Sequence, residues 1–382
     1  MRLLLVSALL GGIAFDSTAQ TALPPVTTIR SASYYLYTVQ PPDTRARAVS
    51  PEEMLANEQI DFPKMRKYGF NTVWLVEFRS KFDPNLDNHY DANGLANFRA
   101  ELETARQNGL RVMVGLNYGS GFQVVTGREG TTAIHAKAQF DSWLSFVSYL
   151  LAGIDDYREM VYPVVFEEGQ ISAEFDPFGE PDAVALALRE TIGNLPALLA
   201  PEVRARWQFG WYGATTAFYG HTRSMRGYDW VGQGYYTFDE SIRLTWLPDS
   251  AKGLSDDQIE NAMEFMFDKV EALYPGLPIV ITESGYYTCD STRFSRAADV
   301  YALYTRFARA RGYGLNLWGY RTLLTPEQEC AERRGKGGHS LCNPDGSPRP
   351  AMLAVSESFK EDGKLRGVIG SLQRGEIAGT RP

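Results

Sequence analysis

Residues 278–288 read PIVITESGYYT. Pro278 opens a run of β-branched residues, Ile279, Val280, Ile281 and Thr282, that ends on an acid and a glycine, Glu283 and Gly285. Such a short apolar run, bounded by Pro and Gly, predicts a strand buried on both faces. Ionised carboxylates are seldom fully buried without a partner. Glu283 therefore either leaves the core into solvent or is a carboxylate held for chemistry at a strand end, and the rest of the chain has to decide between the two.

Outward from this stretch the same unit recurs. Strands are predicted at 33–39, 70–78, 110–119, 161–168, 206–213, 228–237 and 313–320. Between them lie helical patterns at 50–69, 94–109, 140–151, 181–200, 255–276 and 293–312, with a last one at 350–359. Ser50 with Glu53 reads as a helix N-cap, Pro51 fits the first turn, and Gly69 and Gly276 read as stops. Alternating strand and helix predicts a parallel sheet. Eight such units predict an α/β protein with a (β/α)₈ TIM barrel and long βα loops. No linker divides the chain, so residues 20–382 are expected to form one catalytic domain. The stretch after Phe359 is Gly-rich and charged and reads as a tail.

The first 19 residues, MRLLLVSALLGGIAFDSTA, have the Arg, apolar run and small-residue end of a secretory signal, so export to the periplasm or outside the cell is expected. No later stretch is long and apolar enough to span a membrane. The chain of 382 residues carries a formal net charge of −8, which argues against a nucleic-acid partner. Of three cysteines, Cys330 and Cys342 share a loop and are the simplest disulfide pair, with Cys289 able to reach either if the loops adjoin. Neither Cys spacing nor the four histidines suggests a metal site, and no cofactor motif is visible. The 21 Tyr and 7 Trp are mostly ordinary core, but a surplus of flat rings in an exported chain also suits sugar binding.

In a barrel of this kind the active site lies where strands run into loops. The residues expected there are Arg79, Asn117, Glu167 and Glu168, Trp211, Tyr235 and Tyr236, Glu283 and Tyr286, and Trp318. Two acids on opposite sides of one ring, among aromatics and amides, are what glycosidic bond cleavage requires: one protonates the leaving oxygen, the other attacks or activates water. ITESGY around Glu283, DWVGQGYY at 229–236 and LNLWGY at 315–320 resemble motifs of the clan A glycoside hydrolases, mannanase- and glucanase-like members among them. The resemblance implies a retaining enzyme on a poly- or oligosaccharide. It makes Glu283 the nucleophile, a strand-four Glu the acid/base, and Trp318 the floor of a sugar subsite. That family usually shows Asn-Glu on strand four, where this chain has Glu167-Glu168; the family position points to Glu168, with Glu167 the alternative. Adjacent strand residues point to opposite faces, so both cannot enter the cleft without a bulge. Tyr235 or Tyr236 is expected to hydrogen-bond Glu283, and Arg79 to hold it ionised or bind substrate. Long loops after strands two, three and eight suggest a cleft and endo action. The departure at strand four leaves two other readings, a non-catalytic glycan-binding barrel and a transglycosylase. The loop after strand eight, with Arg321, Arg333, Arg334, Lys336 and His339, offers cations to an acidic glycan, although such runs are more often merely solvated.

Overall fold

The computed structural model describes residues 23–39, 46–78, 82–83, 87–117, 133–167, 195–213, 227–236, 255–286, 288, 291–332 and 338–373. Ten strands follow in order: β1 Arg30–Tyr34, β2 Tyr37–Val39, β3 Ala46–Ala48, β4 Thr72–Phe78, β5 Arg111–Asn117, β6 Val161–Glu167, β7 Gly210–Gly213, β8 Trp230–Tyr236, β9 Ile279–Gly285 and β10 Gly314–Leu317. Eight of them close a barrel in the order β1-β10-β9-β8-β7-β6-β5-β4, and every pair in it is parallel. This is the expected (β/α)₈ architecture. The described helices are α1 Pro51–Lys67, α2 Ala92–Gln107, α3 Ala133–Gly153, α4 Leu195–Leu198, α5 Pro201–Arg204, α6 Asp256–Leu273, α7 Phe294–Arg311, α8 Pro326–Glu332 and α9 Pro350–Gln373.

Local chemistry sets the helix ends. The Ser50 side chain accepts from the Glu53 amide at 3.1 Å, and Pro51 occupies the first turn of α1. Ser255 and Gln258 cap each other reciprocally at the start of α6. Gly312 ends α7 with a left-handed backbone (φ 69°).

Three boundaries differ from the sequence reading. The first barrel strand is Arg30–Tyr34, not 33–39; residues 37–39 pair antiparallel with 46–48 in a separate hairpin. The helical pattern at 181–200 lies mostly outside the described residues, and its last part is the short α4. The final helix runs to Gln373, well past Phe359.

Two layers of side chains follow from strand alternation. Trp74, Met113, Tyr162, Val164, Tyr212, Trp230 and Val280 form one buried cluster inside the barrel. Val26 and Ile29, just ahead of β1, close it from the N-terminal end of the strands, where the Tyr162 hydroxyl donates to the Pro24 carbonyl at 2.8 Å. Alternate residues, such as Ala32, Val112, Val165, Trp211, Val231 and Ile281, join the larger cluster beneath the helices.

The disulfide expectation fails for Cys342, which is a free thiol buried at 0% exposure. Burial pushes its pKa up to about 12. Its amide donates to the Tyr320 carbonyl at 2.9 Å, which fixes the segment against the chain leaving β10 without a covalent link. The Cys330 and Cys289 side chains lie outside the described residues. Among the described residues no helix is long and apolar enough to cross a membrane, and no group of His, Cys, Asp and Glu is arranged to hold a metal ion. Residues 1–22, which include the expected export signal, lie outside the described residues.

Candidate active site

Glu283 is only 4% exposed. Strict alternation along β9 would turn it toward the helices, since Ile279 and Ile281 lie in the outer cluster and Val280 in the inner one. The pairing with β8 breaks that alternation. Gln233 opposes Ile281, but the next residue, Gly234, opposes Glu283, so β9 carries one residue more than its partner. A bulge of this kind re-aims a side chain. Thr282, which stands over Gly232, and Glu283 consequently both face the interior.

The partner of the carboxylate comes from β7. The Tyr212 hydroxyl donates to Glu283 Oε2 in a short hydrogen bond. Tyr212 belongs to the inner cluster and meets Trp74 edge-on at 5.6 Å between ring centroids. Gly234 leaves the path open: a Cβ there would stand 2.8 Å from the Tyr212 hydroxyl oxygen.

Around this pair lie Tyr236, Trp318, Tyr35 and His339. Trp318, 8% exposed, continues the inward register of Gly314 and Asn316. Its amide donates to the Ser284 carbonyl at 2.8 Å, and its ring lies 5.9 Å from that of Tyr35. The peptide joining it to Gly319 is cis. Below, Asn316 Nδ2 donates to Ser33 Oγ at 2.9 Å and to the Thr282 carbonyl at 2.8 Å, tying β1, β10 and β9 together directly under the carboxylate.

The structure thus brings Glu283, Tyr236 and Trp318 to one end of the barrel. It corrects three other assignments. Trp211 is fully buried under the helices, against Tyr228 and Tyr274, because Tyr212 takes the inward position of that strand. Tyr235 faces outward: its hydroxyl donates to the Ile259 carbonyl at 3.4 Å and its ring meets Tyr304 edge-on. Tyr286 also packs in the outer cluster, where its amide donates to the Tyr301 hydroxyl. The residue missed was Tyr212. Of two adjacent aromatics only one can face in, and β7 gave no sign of which, because its other residues are glycines. Arg79 and Glu168, and the side chains of Asn117 and Glu167, lie outside the described residues. Arg321 is removed from the cleft: it is buried in an ion pair with Asp61.

No protein-family model and no curated protein matches the chain. Solved structures do. An exo-β-1,4-mannosidase from Opitutaceae bacterium strain TAV5 superposes with a TM-score of 0.61 at 14% identity, over 88% of this chain and 59% of that one. The chain therefore spans about three fifths of that mannosidase. A glycoside hydrolase family 5 enzyme from Prevotella bryantii B14 gives 0.57 at 12% identity, over 89% of this chain and 98% of that one. A family 5 xyloglucanase from Paenibacillus pabuli gives 0.55 at 14% identity, over 88% and 99%. At these identities the likeness is one of fold.

Proposed function

We propose that this chain is an exported glycoside hydrolase that cleaves a poly- or oligosaccharide with retention of anomeric configuration. The observation that carries the reading is Glu283: a buried carboxylate turned into the barrel mouth by a strand bulge, hydrogen-bonded by Tyr212, with the Trp318 amide bonded to the carbonyl of the next residue, Ser284. Carboxylates are not kept in such places for stability. In the proposed reaction Glu283 attacks the anomeric carbon and forms a glycosyl-enzyme ester. A glutamic acid at the end of β6 protonates the departing oxygen, then takes a proton from the water that releases the sugar. The resemblance to the clan A glycoside hydrolases favours Glu168 as the acid/base, with Glu167 the alternative. Arg79 and Asn117 are proposed substrate-side residues, and the long loops after the second, third and eighth barrel strands support a cleft in which the chain is endo-acting.

The test is hydrolysis of β-linked mannan, glucan, xyloglucan and galactan, with their aryl β-glycosides, followed by proton NMR of the first-formed product. Retention of the β anomer is expected. An inverted product would end the double-displacement reading, and glycan binding with no turnover would make the chain a binding barrel. Added sugar acceptors would reveal transfer in place of hydrolysis.

Tyr212 gives a second expected result. Tyr212→Phe keeps the ring against Trp74 and removes one hydrogen bond to a charged group, worth about 1.5–3 kcal/mol. That corresponds to a roughly ten- to hundredfold lower kcat/KM. Steady-state kinetics on the best substrate of the panel measure it; an unchanged value would show that the contact does not operate during turnover.

A further inference from the structure

We propose that His339 is a sugar-contacting residue that helps set which glycan the site accepts. The inference rests on the glycosidase reading. His339 lies far along the chain from the barrel strands, 22 residues after Leu317 closes β10, yet it is carried back to their mouth. Its imidazole stands 5.4 Å from the Tyr236 ring, between centroids, and is 4% exposed, the same as Glu283. It covers Gly285, which shares the inner face of β9 with Glu283. Two strand residues separate such neighbours by about 6–7 Å. A Cβ on Gly285 would stand 3.0 Å from His339 Cδ2, 3.0 Å from Tyr236 and 3.1 Å from the Trp318 carbonyl. Histidine, tyrosine and tryptophan therefore converge on the one strand residue beyond Glu283 that has no side chain.

The backbone around His339 is clamped. Tyr301, on α7, donates its hydroxyl to the His339 carbonyl at 2.7 Å and lies 3.2 Å from that of Trp318, so one hydroxyl indexes both residues. Arg349 donates to the carbonyls of Gly338 and Ser340 on either side, and Thr288 donates to Gly338. Leu341 and Cys342 donate to the Gly319 and Tyr320 carbonyls. A residue whose backbone is fixed in this way suits a binding site. A neutral imidazole offers one donor and one acceptor, which matches neighbouring hydroxyls on a sugar ring. Space-filling alone would be met as well by an apolar ring.

The test uses the full chain labelled with ¹³C/¹⁵N-histidine. Only four histidines contribute, His89, His135, His221 and His339, and His339→Gln assigns the one of interest. Mannohexaose, cellohexaose and a xyloglucan oligosaccharide are added to the Glu283→Gln variant, with tryptophan fluorescence as an independent report of binding. The His339 signal is expected to move on binding. In the active enzyme His339→Ala should raise KM about three- to tenfold, the range of one neutral hydrogen bond, with kcat nearly unchanged, and His339→Gln should recover part of the loss. Fluorescence-detected binding with an unmoved His339 signal, or an unchanged KM in His339→Ala, would overturn the role while leaving the glycosidase reading intact. If none of the sugars binds or is cleaved, that reading fails and this one with it. Should His339→Ala not fold, the labelled protein and His339→Gln still decide.

Discussion

Replacing Glu283 by Gln is expected to remove turnover by at least ~10³-fold, the scale of losing a covalent nucleophile, while leaving the fold as stable as before or more so. The two effects have opposite signs for a physical reason. Glu283 is 4% exposed, and a buried carboxylate is costly even when hydrogen-bonded. Gln keeps the shape and still accepts from Tyr212, but carries no charge to desolvate. Urea unfolding should therefore give a midpoint at or above wild type. Sugar binding, followed by tryptophan fluorescence, should persist. A sharper form of the experiment uses Glu283→Ala with azide. A small anion entering the space left by the carboxylate would attack the same face of the sugar and give a glycosyl azide of inverted configuration. A glutamate that merely braced the strand could not be replaced in this way. A Glu283→Gln variant with wild-type turnover, or a variant that unfolds at much lower urea, would sink the assignment. The trade of stability for activity at such a position is a general feature of enzyme sites.

The contrast between Glu283 and Tyr212 shows which parts of the site could be read without coordinates. The order of strands and helices was legible because each unit carries its own signals: an apolar run, a Gly stop, a capped helix. Positions at strand ends followed from that order, so Glu283, Tyr236 and Trp318 were expected together. Which way a side chain turns was less legible. Period-two alternation decides facing only if the register is unbroken, and a bulge on β9 breaks it at the residue that matters most. Trp211 and Tyr235 lost their expected roles to the same rule applied without disruption: they are the outward members of adjacent aromatic pairs, and Tyr212 and Tyr236 the inward ones. The start of the barrel was misplaced for a different reason. Arg30–Tyr34 reads RSASY, with little strand propensity, because its inward positions are the serines Ser31 and Ser33, small enough to leave room for Asn316. The more strand-like residues 37–39 form a hairpin outside the barrel. His339 could not be placed at all from spacing, since a long connection returns it to the mouth through contacts far apart in sequence.

Arg321→Met is expected to cost about 3–5 kcal/mol of stability, the loss that follows when one member of a buried ion pair is left alone. Arg321 is 5% exposed and its partner Asp61, on α1, is 0% exposed. Burial works against the Arg321 charge, and Asp61 together with Tyr34 and Tyr320 outweighs it, so the guanidinium is held charged. Its remaining donors reach the Pro344 carbonyl at 2.8 Å and Asn57 Oδ1 at 2.6 Å, while the Tyr34 hydroxyl donates to Asp61 at 2.9 Å. One cation thus joins the end of β1, helix α1 and the loop that begins three residues after Trp318. Removing it leaves Asp61 beside Glu58, also 0% exposed and one turn earlier on the same helix, with the Lys64 ammonium, 39% exposed and 4.0 Å away, as a weaker cation. Removing Asp61 as well should return part of the loss, so Arg321→Met with Asp61→Asn should be more stable than Arg321→Met alone. The surface supplies the control. Arg309 and Glu361 approach only to 3.8 Å, at 33% and 62% exposure, where such pairs are worth about 0–1 kcal/mol; Glu361→Gln should hardly move the urea midpoint. Because the loop anchored by Arg321 also carries His339, the single variant should weaken substrate binding before it unfolds the protein. A loss below about 1 kcal/mol for Arg321→Met, the range of an exposed pair, would mean that the loop is held by Arg349, Thr288 and the backbone that follows β10.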